Sequence, residues 1–313
     1  MFSRHETTVP QLTLILLVTF FFIQAVERTG HAQDKRPADV YQLTAQLAQE
    51  VDKLRWYMGR PVNEQAPPVV TDVSPHEVYF QAKLLVRKSS KLSFELTFGQ
   101  HTMPATPIGQ IKPRDVYELV RISSSQIRQI AEELNLEDLL APLPPLDPTK
   151  TPTDVFKLVV QTSRQLNLLI YRNISPSDVY QTVTTAISYT DVILNTLPNP
   201  PTPPQAIPVT PGKRPEDVFA KLHETYGRIE TIGKKMGLDM MTLERWTNSK
   251  DIQPSDVLDL ASTIVAGLAH IHENTNGADT PHPIRWQHGM FPSDVFNRVL
   301  VLESQLDKIE QRL

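Results

Sequence analysis

A six-residue motif recurs eight times along the chain and constrains its fold more than any other feature. The copies are RPADVY from Arg36, SPHEVY from Ser74, KPRDVY from Lys112, TPTDVF from Thr151, SPSDVY from Ser175, RPEDVF from Arg214, QPSDVL from Gln253 and FPSDVF from Phe291. Their prolines are separated by 38, 38, 39, 24, 39, 39 and 38 residues. Self-similarity at a fixed period marks a repeat architecture.

Each copy carries the marks of a helix start. Proline suits the first helical position, where its missing N–H has no partner to lose and its φ is already helical. The residue before it is the N-cap, and it is Ser or Thr at positions 74, 151 and 175. The acid two residues after proline stands at the third helical position. From there it reaches back to the N-cap N–H and meets the positive end of the helix dipole. Capping therefore accounts for Asp39, Glu77, Asp115, Asp154, Asp178, Asp217, Asp256 and Asp294 together. Eight equivalent acids do not read as a catalytic set.

Counting from each motif valine in steps of 4 and 3 gives an apolar stripe. It runs Val40, Thr44, Leu47, Val51, Leu54 in the first helix and Val295, Val299, Leu302, Leu306, Ile309 and then Leu313 in the last. This is a heptad pattern on helices of about 20 residues, hence ~30 Å long. An aromatic beside the valine in seven copies widens the stripe, as bundle helices with several neighbours require. The fold class expected is all-α: eight amphipathic helices joined by extended, Pro-rich linkers, in one array or two sub-bundles. The chain has 27 Pro and only 11 Gly. The tetratricopeptide signature is missing, and each unit holds one long helix rather than two.

Linkers such as GRPVNEQAPPVVTDV, Gly59 to Val73, reach ~45 Å at ~3.1 Å per residue and can return along a whole helix. Neighbouring helices are thus free to be parallel or antiparallel. The exception is the four-residue YRNI from Tyr171, which predicts an antiparallel hairpin of the fourth and fifth helices. NLEDLL from Asn135 and MTLERW from Met241 read as short helices inside linkers. Trp56, Trp246 and Trp286, at or beyond helix ends, read as lids over the bundle ends, with exposed anchors for a partner as the alternative.

Residues 1–32 read as an export signal: Arg4, an apolar run from Leu12 to Val26, then Gly30 and Ala32 at the small-residue positions before cleavage. The run falls short of the ~20 residues that span a bilayer. An uncleaved anchor is the alternative. The repeat region is then 33–313. The chain contains no cysteine, which excludes disulfides and thiolate chemistry and fits a bacterial periplasm or exterior. A net charge of −4 argues against a nucleic-acid partner.

Polar residues interrupt the stripe at Ser89, Ser123, Thr162, Thr190 and Thr225. Such residues usually bond the carbonyl one turn back and let helices approach. They are also the layer where a ligand between helices would sit. His270 and His272 are two apart on a helix and point to different faces. With His101, His282 and His288 nothing sets a metal spacing. No catalytic motif, cofactor or metal set is assigned. The reading is an exported, non-enzymatic binding or scaffolding module with a protein partner or self-association. A periplasmic small-ligand binder is the alternative, and a metal-dependent enzyme the remote one.

Overall fold

The structure, a computed structural model, describes residues 34–107, 109–172, 174–197, 208, 210–247 and 251–313. The expected export segment lies outside them. Eight helices pack against one another: α1 Pro37–Tyr57, α2 Pro75–Thr97, α3 Pro113–Glu133, α4 Pro152–Leu169, α5 Pro176–Thr196, α6 Pro215–Lys235, α7 Pro254–Glu273 and α8 Pro292–Glu310. Each begins at its motif proline. Among the described residues no helix is long and apolar enough to cross a membrane.

The starts are built as the motif dictates. In every copy the N-cap residue is extended and its N–H donates to the motif acid, at 2.8–3.0 Å. Only Ser74 and Thr151 return the bond, their hydroxyls accepting a first-turn N–H. Arg, Lys, Gln and Phe at five of the other N-caps lack a suitable short acceptor, and the Ser175 hydroxyl donates to Asp178, so the acid does the capping there.

The helices form two sets of four. In the first set α1 and α2 each pack on α3 and α4; in the second α5 and α6 each pack on α7 and α8. Thus α1 and α2 take opposite corners, as do α3 and α4, α5 and α6, and α7 and α8. All four helices of a set run the same way. The four motif prolines and valines of one set converge on a single cavity of about 10 Å³, bordered by Val40, Val78, Val116 and Val155. Val179, Val218, Val257 and Val295 enclose its counterpart. Each is at the lower limit for one water molecule. Cross-links at matching heights agree: Glu50 of α1 meets Arg128 of α3, and Ser89 of α2 meets Gln126 of α3. The heptad positions fill both interiors, with Leu47, Leu85, Leu302 and Leu306 fully buried.

Parallel neighbours require linkers that travel back the length of the bundle. The helices bind those linkers through side-chain amides. Gln42 and Gln46 donate to the carbonyls of Pro144 and Ala141, and Gln165 exchanges two bonds with the Asn63 backbone. This satisfies linker backbone that neither helix nor sheet would pair.

The two sets meet along α2 and α7, which run antiparallel: His76 faces the end of α7 while Lys88 faces its start. Here the residue after the motif valine is fully buried, as at Tyr79, Phe156 and Leu258. Elsewhere it is half-buried, and at four of these positions a cation lies over its ring: Lys150 on Tyr41, Lys35 on Tyr117, Arg298 on Tyr180 and Lys213 on Phe296.

Several sequence expectations are corrected. The short turn after α4 does reverse the chain, but α5 does not pack along α4 as a hairpin. It enters the second set instead, because α4 already has its neighbours in the first. MTLERW is not helical: β2, Thr242–Arg245, pairs antiparallel with β1, Val69–Thr71. Pairing to a linker strand outweighed the helical propensity of Leu-Glu-Arg. NLEDLL shortens to a 3₁₀ turn over Glu137–Leu139. Trp56 is not a lid: it is 77% exposed, whereas Trp246 is buried and packs edge-on against Phe156.

Candidate functional site

The seam between the two sets is unusually polar. Lys88 Nζ lies 2.6 Å from Asp259 Oδ1 and 2.6 Å from Ser163 Oγ, with both charged side chains buried. Burial pulls the Lys88 pKa down, and the Asp259 carboxylate opposes it. Gln81 Nε2 donates to the Asp259 carbonyl and to Thr263 Oγ1, and Arg164 donates to the carbonyls of Ala66 and Trp246. A buried pair gives little net stability but is costly to break, and it fixes which surfaces can dock.

Two clefts flank this network. One, of about 500 Å³, lies between the end of α4 and the start of α7. Three of its lining groups are buried with no hydrogen-bond partner: Gln65 Oε1, Arg164 Nε and Asn167 Oδ1. The other, of about 640 Å³, lies between the start of α2 and the end of α7. There His76, His270 and Glu273 bring one ligating atom each within 4.8 Å of one another. His76 Nδ1 is 3.6 Å from Glu273 Oε2, and His76 Nε2 is buried without a partner. The His76 and His270 rings lie 5.4 Å apart.

Burial, helped by His270 and opposed by the Ala266 carbonyl, lowers the His76 pKa to about 4. Burial raises that of Glu273 to about 7. The imidazole is therefore neutral wherever the carboxylate is charged. Around neutrality the pair offers a neutral imidazole beside a carboxyl group.

A third feature is the end face of the first set, where the parallel helices finish together. Trp56 and Tyr57 of α1, Phe94 and Phe98 of α2 and Tyr171 just after α4 are all exposed. Trp56, Phe98 and Tyr171 are 77%, 79% and 82% exposed. Glu95 accepts the backbone N–H groups of Tyr171 and Arg172, which holds that turn against the end of α2. Phe98 closes α2 in the left-handed region at φ 57°, a conformation that costs a non-glycine residue about 1–2 kcal/mol.

The residues singled out from sequence fall as follows. The eight motif acids all sit at helix starts, in unlike surroundings. At Asp154 the Thr151 backbone N–H holds the carboxyl below its usual range; at the seam burial pushes Glu77 and Asp256 up. Asp178 also accepts from Arg87 of α2 at 2.5 Å. Ser89, Ser123 and Thr162 belong to the first set and Thr190 and Thr225 to the second, so they form no single layer. Thr162 and Thr225 bond the carbonyls of Leu158 and Lys221, four residues back, and Ser89 and Thr190 bond those three back. Ser89 also meets Gln126, and Thr190 meets Gln305; the Ser123 hydroxyl has no partner. His101 bonds Ser93, and His288 accepts from the Trp286 indole, so these loop histidines are not drawn to one point.

The seam and its histidine cluster were not found from sequence. One signal was present: α7 has no charged residue between Asp259 and His270, which marks a helix covered on all sides. His270 and Glu273 also stand three apart on one face of α7. Compared with protein-family models, with curated proteins and with solved structures, the chain matches none.

Proposed function

We propose that this protein is an exported, non-enzymatic binding module whose two parallel bundles present the aromatic end face of the first set to a protein partner. The observation that carries this reading is the grouping of Trp56, Phe98 and Tyr171 at one end of a bundle whose heptad interior is filled. Exposed aromatics in a group, one of them in a costly backbone conformation, are characteristic of contact surfaces. A photocrosslinking amino acid at Phe98 tests it in the native host. Discrete protein adducts from position 98, and none from the exposed Glu118 on α3, are expected. Equal adducts from both positions, or none from position 98, contradict the reading.

One observation favours a second reading, a small-ligand binder. The three unpartnered polar groups lining the 500 Å³ cleft are a donor and two amide oxygens awaiting a polar molecule. Melting-temperature screening against polar metabolites, repeated on Asn167→Leu, checks it. A hit unaffected by that substitution sinks this reading.

A further inference from the structure

The chemistry in the cleft between α2 and α7 is more specific than a polar hollow. We propose that His76, His270 and Glu273 form a zinc site that bolts the first helix set to the second. His76 enters from the first turn of α2; His270 and Glu273 project from the last turn of α7. The ion would thus be shared by the two bundles.

Geometry supports a small ion. Ligand atoms 2.0–2.1 Å from a tetrahedral zinc stand about 3.4 Å apart. The His76–Glu273 separation of 3.6 Å is already near that. The widest separation, within 4.8 Å, closes by rotating His270, which is half-buried, or Glu273, which is exposed. His76, 5% exposed, is held in place with its Nδ1 turned towards Glu273. The donor set selects the metal. Two imidazoles and one carboxylate suit zinc and its transition-metal neighbours, whereas magnesium and calcium prefer oxygen alone. The cleft, lined also by Ser74, Asp239 and Asn274, gives an entry path and room for water at the remaining position.

The test is calorimetric titration of zinc into chelator-treated protein, paired with melting curves. Expected are one zinc per chain, a higher melting temperature with zinc, and no comparable response to magnesium. Glu273→Gln and His270→Asn lower zinc affinity by at least about tenfold. His288→Asn, in a loop, leaves it unchanged. Because a variant can misfold, a second readout uses the unmodified protein. Histidine ring resonances are followed as zinc is added, and those of His76 and His270 shift before those of His101 and His288. Absence of binding, equal binding of magnesium, undiminished affinity in both ligand variants, or first shifts at the loop histidines each overturn the proposal.

Discussion

Lys88 of α2 and Asp259 of α7 form a fully buried ion pair, 2.6 Å between Nζ and Oδ1, at the junction of two four-helix sets. The pair commits the two surfaces to one another, since either charge alone would be stranded away from water. Lys88→Met should therefore cost on the order of 3–5 kcal/mol, while Lys88→Met with Asp259→Leu recovers most of the loss. Urea denaturation of the single and double variants measures this. A single variant as stable as the parent would show that the pair is not buried.

Asp178 has two tasks, capping α5 and receiving Arg87 from α2. Asp217 caps α6 and forms no such link among the described contacts. Asp217→Asn should cost ~0.5–1 kcal/mol through cap and dipole. At Asp178 a double-mutant cycle with Arg87→Ala should add a coupling of ~0.2–1 kcal/mol, kept small because Arg87 is 40% exposed. A coupling of zero would mean that the inter-set bond contributes nothing.

Val179 is 2% exposed in the ring of motif valines around the small cavity at the head of the second set. Val179→Ala enlarges that cavity and should cost ~1–3 kcal/mol. Thermal unfolding at an unchanged temperature would contradict the shared ring.

Much of this architecture was legible in the sequence because its determinants are local. Proline at the first position, the acid at the third and valine at the fourth specify a helix start wherever they occur, so all eight starts were readable from SPSDVY and its relatives. The heptad stripe likewise marks the buried face down to Ile309; its last step, Leu313, lies beyond the end of α8 and is exposed. Direction and partnership were not local. Linkers long enough to return along a helix permit either orientation, and the choice rests on contacts such as Gln46 with Ala141, 95 residues apart. The seam depends on pairs such as Gln81 with Asp259, 178 residues apart. The same separation hid the histidine cluster: comparing His270 with His272 considered one helix, whereas the third ligating group, His76, lies at the start of another.

All four helices of a set run the same way, and their direction can be measured directly. The chain has no cysteine, so spin labels can be placed in pairs without background. Labels at Arg36 and Arg114 mark the starts of the adjacent helices α1 and α3; labels at Arg36 and Glu133 mark a start and an end. Neighbouring axes lie 8–10 Å apart, and a 21-residue helix is ~30 Å long. Pulsed electron-electron resonance should give a short distance for Arg36–Arg114 and one longer by roughly 15–20 Å for Arg36–Glu133. The reverse order, with the start of α1 beside the end of α3, would contradict the parallel bundle.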